Sequence, residues 1–294
     1  MVRLGRIGIW SRQLRFGDPA RSADAAAEVE ALGYGAIWLP GGAAESYFPL
    51  ASALLAATRT CTVASGILSV WTNPPDQVAA AHARLSAAHP GRALLGLGVS
   101  HAHLVETQTG RRYEHPLSVM RTYLDDLNAT GAPPARDELV LAALGPRMLA
   151  LSRDRSLGAH PYFVSPAHTS LARDVLGPGP LLAPEQAVVL ETDPSRARAL
   201  ARGHMETYLR APNYVKNLLR IGYDATDIAD GGSDRLVDAI VAWGDTEAVR
   251  RRIDEHFAAG ADHVCLQVIT TDREALPLAE WRTLSAALGL TAGI

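Results

Sequence analysis

Short apolar runs alternate with segments of helical periodicity along the chain. The runs occupy residues 7–10, 36–40, 62–70, 93–99, 139–144, 159–164, 187–191 and 263–269. Each run is apolar at nearly every position, which is typical of strands buried on both faces of a parallel sheet. Eight such strands with helices between them predict an α/β fold, in which a closed (β/α)8 TIM barrel is favoured over a doubly wound open sheet.

Helix boundaries are indicated by capping residues. Gly33 stands where one helix is expected to end, and Asn73 is expected to cap a helix that begins at Pro74. Further helices are predicted to open at Gly145-Pro146 and Asp193-Pro194. The stretch 211–243 is interpreted as an insertion before the last helix–strand unit and as a candidate lid, so residues 1–294 are predicted to form one domain.

Composition narrows the functional class. Hydrophobic residues make up 48% of the chain, charged residues 20%, and the net charge is −3, which disfavours a nucleic-acid-binding surface. No apolar run approaches the ~20 residues of a membrane-spanning helix, and the first ten residues lack the apolar centre of an export signal. Cys61 and Cys265 lie in separate apolar runs, so we expect buried free thiols and a cytoplasmic location.

Lysine is almost absent from the chain. Of the 28 basic residues, only Lys216 is a lysine, and no glycine-rich loop precedes it. Schiff-base enzymes, pyridoxal-phosphate enzymes and P-loop NTPases all need a positioned lysine. These three classes are therefore disfavoured.

One candidate anion site follows the fifth strand. Barrel enzymes carry their reactive groups at the carboxyl ends of strands, and here Gly145 permits a tight turn while Pro146 fits the first turn of a helix. The free backbone N–H groups of such a helix start, with Arg147 beside them, favour an anion. An ordinary capped helix can begin with the same residue pattern. The segment is therefore interpreted either as an anion site or as a helix start without a ligand.

Glycines inside two predicted strands indicate close approaches. Gly66 predicts either a bulge beside a ligand or a tight packing point. Gly96 and Gly98 begin like a dinucleotide fingerprint but lack its third glycine. They are expected to let a planar ring or a neighbouring chain approach the backbone.

Histidines supply the candidate acid–base groups. His101 and His103 have a spacing that can ligate a metal ion, but the pair follows the fourth strand and no suitable lysine accompanies it. We therefore expect His101 to face a ligand and His103 to be solvated, and keep a metal-dependent TIM-barrel hydrolase as an alternative of another class. His160 is expected to be a hydrogen-bonded core residue.

An ordered set of motifs resembles the bacterial luciferase-like superfamily and, within it, the F420-dependent oxidoreductases. The matching segments are residues 30–34 with 37–38, 64–67, 90–92 with 95–101, 142–146, 158–162 and 243–247. The resemblance implies a deazaflavin or flavin at the carboxyl face of the barrel, backed by the third strand, often through a non-prolyl cis peptide. It also implies that Ser65, Gly66, Ile67, Ser100, Ala143, Leu144 and Gly145 bind the cofactor. The arguments from the residues themselves add Gly98 and Arg147 to this predicted set.

The resemblance predicts hydride transfer between coenzyme F420 and a small organic substrate, with His101 as the acid–base residue. An FMN-dependent luciferase-like monooxygenase is the alternative, because both cofactors use the same ring support and phosphate site. Sugar-phosphate dehydrogenases of the superfamily carry an Asp-His pair where this chain has Gly41-Gly42, so that substrate is not expected. Relatives are commonly dimeric, which predicts a homodimer without a nucleic-acid or membrane partner.

Overall fold

A computed structural model describes residues 2–291, which form eleven strands and fourteen α-helices. The strands are β1 (Ile7–Trp10), β2 (Ala36–Leu39), β3 (Thr62–Ser65), β4 (Leu68–Ser69), β5 (Ala93–Gly98), β6 (Leu139–Leu141), β7 (Gly158–Ala159), β8 (Leu181–Leu182), β9 (Glu185–Val189), β10 (Val241–Trp243) and β11 (Val264–Val268). Within residues 2–291, all neighbouring strands pair in parallel. The prediction of a parallel α/β sheet is therefore confirmed.

The helices alternate with these strands. They are α1 (Arg12–Phe16), α2 (Pro19–Ala31), α3 (Ala44–Ala57), α4 (Pro75–Ala88), α5 (Ala102–Thr109), α6 (Pro116–Asn128), α7 (Pro146–Arg155), α8 (Pro166–Leu176), α9 (Pro194–Leu209), α10 (Pro212–Arg220), α11 (Ala225–Ile228), α12 (Asp234–Ile240), α13 (Thr246–Ala258) and α14 (Leu278–Leu288). Proline begins many of them because its fixed φ and missing N–H cost nothing in the first turn.

The strands close into a barrel. β3 and β4 form the third barrel strand, interrupted at Gly66 and Ile67, while β8 and β9 form the seventh, interrupted at Ala183 and Pro184. β8 pairs with β7, β9 pairs with β11, and β11 pairs with β1. The ring of eight strands is thereby complete, which confirms the predicted (β/α)8 barrel.

Alternation along the strands separates the barrel interior from the layer under the helices. Trp38, Leu94 and Val140 belong to the interior cluster. Their neighbours Ile37 and Leu95 pack outward, in the main core beneath the helices.

The barrel opens between its sixth and seventh strands toward the carboxyl end. Beyond Glu185, strand β9 has β11 on one side and β10 on the other, so β7 no longer pairs with it. Side chains from α9, α10, α12 and the segment after β7 fill this gap, among them Phe163, Met205 and Leu218. We call this group of buried residues the second core.

Local predictions differ from the structure at several boundaries. The stretch 211–243 forms α10, α11, α12 and β10, so its end extends the sheet. The predicted sixth strand is regular only at Gly158–Ala159, after which Phe163 adopts a left-handed φ of 59°. The seventh strand begins at Leu181, six residues before its predicted start.

Asn73 does not cap the helix that follows it. Its Oδ1 instead accepts the backbone N–H of Ala44 at 2.7 Å, which begins α3, and its Nδ2 donates to the carbonyl oxygens of Gly42 and Ser69. Pro74 occupies the cap position of α4 without a side-chain bond. Asn73 therefore holds together the loops that follow the second and third barrel strands.

Cys61 and Cys265 are free and buried, as expected. Burial raises the pKa of the Cys61 thiol to about 12. Within residues 2–291, none of the helices has the length and apolar character that crossing a bilayer requires.

Candidate active site

A cavity of about 620 Å³ opens at the carboxyl ends of the barrel strands, where barrel enzymes hold their ligands. Eight of the ten predicted site residues line it: Gly66, Ile67, Ser100, His101, Ala143, Leu144, Gly145 and Arg147. The other two, Ser65 and Gly98, lie beneath its wall. No aspartate or glutamate side chain is part of the lining.

Gly66 and Ile67, which we call the ring support after the role that the sequence resemblance predicts for them, form one wall of the cavity. The peptide bond between them is cis. A methyl group on Gly41 would lie 1.7 Å from the Ile67 carbonyl oxygen, and one on Gly98 would lie 2.5 Å from the Ile67 side chain. These two glycines therefore allow the neighbouring strands to approach Ile67 closely.

Ser65 anchors the ring support from below. Its hydroxyl donates to the carbonyl oxygen of Gly96 at 2.9 Å and accepts the N–H of Gly96 at 2.7 Å. A methyl group on Gly96 would lie 1.9 Å from the Ser65 carbonyl oxygen. The glycines of the fourth barrel strand thus admit a neighbouring chain, which was one of the two expectations for them.

Ser100 and His101 follow the fourth barrel strand. Ser100 adopts a left-handed φ of 55°, and the Tyr113 hydroxyl donates to its carbonyl oxygen at 3.3 Å. His101 Nδ1 lies 3.2 Å from Asn213 Oδ1 on α10. Because a carbonyl oxygen only accepts, Nδ1 carries the proton and Nε2 keeps its lone pair.

Burial lowers the pKa of His101, and the hydrogen bond to Asn213 opposes that shift. The ring is therefore neutral at neutral pH, a state in which Nε2 can accept a proton. His103 is exposed. Within residues 2–291, no group of three histidine, cysteine, aspartate or glutamate side chains is arranged to hold a metal ion.

Trp10 and His160 form the floor beside the ring support. Their Nε1 and Nε2 atoms would lie 2.8 and 3.0 Å from a methyl group on Gly66, and neither atom has a hydrogen-bond partner. His160 Nδ1 donates to the Ala183 carbonyl oxygen at 2.7 Å, and its ring stacks on Trp38 at 4.2 Å. His160 is thus hydrogen-bonded, as predicted, and also lines the cavity.

Residues 143–145, which we call the cradle, lead into the first turn of α7. Gly145 is the N-cap, and no side chain bonds to the free N–H groups of that turn. His168 Nε2 lies 2.9 Å from the Leu144 carbonyl oxygen and donates to it. The cradle is therefore held from behind while its N–H groups stay available to an anion.

Arg147 follows the cradle in the first turn of α7, Arg220 lies beside it, and Lys216 stands one turn before Arg220 on α10; we call these three cations the cation cluster. A methyl group on Gly145 would lie 3.6 Å from both terminal nitrogens of Arg220, which also donates to Asn217 Oδ1. All three line the cavity, and none has a carboxylate partner among the described residues. The site thus concentrates uncompensated positive charge at a helix N-terminus.

Five aromatic rings form another part of the cavity lining, which we call the aromatic wall: Trp10, which also belongs to the floor, and His101, Tyr162, Tyr208 and Tyr214. Consecutive ring centroids along it lie 5.2 to 5.4 Å apart. The Tyr162 hydroxyl lies 2.6 Å from Gln267 Oε1 and 2.7 Å from the Tyr208 hydroxyl. Wall and cation cluster are therefore chemically distinct parts of one cavity.

Glu185 lies behind the aromatic wall. Its Oε2 accepts the N–H of Phe163 at 3.2 Å, whereas its Oε1 has no partner. Burial raises the pKa of this carboxyl to about 8, so it is mostly protonated at neutral pH. It holds the left-handed backbone of Phe163, next to Tyr162.

Sequence reasoning missed Lys216 and Arg220 as site residues, although the rarity of lysine had marked Lys216. It had named Asn213 and Tyr214 only as parts of a candidate lid. All four lie on α10 and line the cavity. Asn213, Lys216 and Arg220 follow one another at spacings of three and four residues, which is the spacing of one helix face and the signal that could have found them.

Comparison with known proteins agrees with this architecture. A family profile described as luciferase-like monooxygenase matches residues 4–263. The Mycobacterium tuberculosis protein named "Putative coenzyme F420-dependent oxidoreductase" is 26% identical, with 92% of this chain and 95% of that protein covered.

Two solved structures share the fold. An F420-dependent secondary alcohol dehydrogenase, solved in complex with an F420–acetone adduct, superimposes with a TM-score of 0.74 at 15% identity, covering 97% of this chain and 99% of that one. The oxygenating constituent of 3,6-diketocamphane monooxygenase from Pseudomonas putida, solved with FMN, gives 0.69 at 15% identity, covering 98% of both chains. Since the profile spans most of the sequence and the barrel agrees, the chain belongs to the bacterial luciferase-like family of enzymes.

Proposed function

We propose that this enzyme transfers a hydride between coenzyme F420 and a small organic substrate. The cation cluster around the cradle carries this proposal. F420 bears a phosphodiester followed by carboxylates, whereas FMN ends at a single phosphate. Three uncompensated cations at a helix N-terminus match the ligand with several anionic groups better than the ligand with one.

The remaining cavity also fits a deazaflavin. Gly66 adds no side chain to the cavity wall, the Ile67 side chain packs toward Gly98, and the volume of the cavity lies within the range of cofactor sites. When bound, F420 supplies hydride chemistry. The chain's own residues would back the ring with Ile67, hold the phosphate at the cradle and keep the substrate side dry with the aromatic wall.

His101 would manage the substrate proton. Its Nδ1–H is fixed by Asn213, so the neutral Nε2 is the atom that can accept a proton as an alcohol is oxidised, or return it in the reverse direction. Since Asn213 lies on α10, this helix contributes to both the acid–base group and the cation cluster. That arrangement supports the interpretation of residues 211–243 as a cover of the site.

The names of relatives are consistent with the proposal. The Mycobacterium tuberculosis relative and the alcohol dehydrogenase structure are named for F420, while the diketocamphane monooxygenase was solved with FMN. An FMN-dependent monooxygenase therefore remains the second candidate. The two are separated by which cofactor the protein binds.

We expect a titration of the purified protein, followed by cofactor fluorescence, to give at least tenfold tighter binding of F420 than of FMN. The additional anionic groups of F420 would engage the cation cluster, and each decade of affinity corresponds to about 1.4 kcal/mol. The preference should shrink as salt is raised, because screening weakens contacts between charges. Tighter binding of FMN at all salt concentrations would favour the monooxygenase.

We expect Arg220→Gln to weaken F420 binding by about 10- to 100-fold, since a hydrogen bond to a charged group contributes about 1.5–3 kcal/mol. The same titration measures it. Arg121→Gln is the matched control, because Arg121 is an exposed arginine on α6 outside the cavity lining. Equal affinities of both variants for F420 would contradict the assignment of Arg220 to the anion site.

A further inference from the structure

The aromatic wall carries an inference about the substrate that rests on the proposed function and goes beyond it. All formal charge of the cavity lining belongs to the cation cluster near the cradle, and no carboxylate side chain lines the cavity. The rest of the cavity offers mainly aromatic and apolar surface, with neutral polar side chains such as Thr72, Gln108 and Asn213. Neither an anionic nor a cationic substrate would find an opposite charge there.

The rings of the wall suit a flat, apolar molecule. The chain of rings runs from Trp10 through Tyr162 and Tyr208 to Tyr214 and His101, with centroid distances typical of tilted and edge-to-face contacts. Aromatic side chains supply large apolar contact area and can stack on a planar ligand.

Counting hydroxyl protons singles out one residue of this wall. Tyr162 has a single proton, which it donates to Gln267 Oε1, so Tyr208 must donate to Tyr162. Tyr113, the fourth tyrosine of the lining, donates to the Ser100 carbonyl oxygen. Of these four lining tyrosines, Tyr214 alone has a hydroxyl without a hydrogen-bond partner among the described residues.

The Tyr214 hydroxyl is available to a ligand. Tyr214 lines the cavity and is 6% exposed as a whole. Its hydroxyl oxygen is not fully enclosed by the protein. Burial raises the pKa of Tyr214 well above its ordinary value. The group therefore stays a phenol, which can donate a hydrogen bond to a neutral acceptor.

We propose that the substrate is a neutral, largely planar carbonyl compound or the corresponding alcohol, and that the Tyr214 hydroxyl donates a hydrogen bond to its oxygen. This residue orients the oxygen beside His101, whose ring centroid lies 5.2 Å from that of Tyr214. The cation cluster then remains free for the cofactor.

The test compares three probes in phosphate buffer, which screens the cation cluster, by equilibrium dialysis without cofactor and again with F420. The probes are 2-acetylnaphthalene, its 6-carboxylate, and 2-ethylnaphthalene, which lacks the carbonyl. We expect the neutral ketone to bind at least tenfold more tightly than the carboxylate. Tyr214→Phe should weaken the ketone about fivefold and the hydrocarbon less than twofold, because one neutral hydrogen bond is lost.

Tyr223→Phe is the matched control, because Tyr223 packs against Arg235 outside the cavity lining. Binding of the carboxylate as tight as that of the ketone would overturn the substrate class. An equal loss of ketone and hydrocarbon in Tyr214→Phe would overturn the hydrogen bond. If F420 binds but no neutral probe does, this inference fails and the cofactor proposal stands. If the neutral ketone binds but F420 does not, the cofactor proposal fails and the inference about the substrate stands.

Discussion

Gly41→Ala is expected to abolish tight F420 binding and to lower the free energy of unfolding by about 3 kcal/mol, the upper range for overpacking a close contact. The added methyl group would lie 1.7 Å from the Ile67 carbonyl oxygen, a backbone atom that cannot rotate away. The loop after β2 and the ring support must therefore separate. Cofactor titration and denaturant unfolding measure the two effects.

Gly131→Ala provides the control for this substitution. Gly131 has no atom within 4 Å of the position that a methyl group would occupy, so its replacement should change stability by less than about 0.5 kcal/mol. If Gly41→Ala bound F420 like the unaltered protein and unfolded at the same denaturant concentration, the close approach described for Ile67 would be wrong.

Acid is expected to unfold the protein between about pH 6.5 and pH 4. Burial lowers the pKa of His160, His204 and His263 to about 4 and that of His256 to about 3. In this interval the unfolded chain takes up protons that the folded chain does not, so stability falls as pH falls. Glu185, whose pKa is raised to about 8, acts in the opposite direction and offsets one histidine above pH 4.5.

Together these four histidines, offset by Glu185, contribute a net slope of at most about 4 kcal/mol per pH unit, since each uncompensated proton contributes about 1.4 kcal/mol per unit. Over two units this is comparable with the whole stability of a typical domain. Denaturant unfolding at pH 7, 6 and 5 measures it. His256→Gln should remove about one proton from the slope, and an unchanged slope in this variant would contradict the role of the buried histidines.

The barrel could be predicted from the sequence because each of its strands is a continuous apolar run between helical segments. The interruption of the seventh strand could not, because β8 has two residues and Pro184 follows it closely. β10 was missed for the same reason, since three residues are too few to show a strand period. The left-handed backbone of Phe163 has no sequence signal, because bulky residues rarely adopt it.

The candidate site was predictable where its chemistry is local. The cradle and the helix start at Pro146 are contiguous, so residues 143–147 could be identified together. Arg220 and Asn213 lie far along the chain from the groups they approach, Gly145 and His101, and only the packing of α10 brings them there. Tertiary contacts of this kind cannot be derived from one sequence without an alignment.

The second core has a consequence for how this enzyme can change. Tyr162, Tyr208 and Tyr214 pack within it, whereas Gly66 and Ile67 are held by the adjoining strands of the barrel ring. Substitutions in α9 can therefore reshape the substrate side while the ring of strands keeps its register, whereas substitutions in α10 also reach Lys216 and Arg220 of the cation cluster. Under the proposed function, substrate range and cofactor retention are thus separable through α9, which makes this helix the natural target for directed evolution.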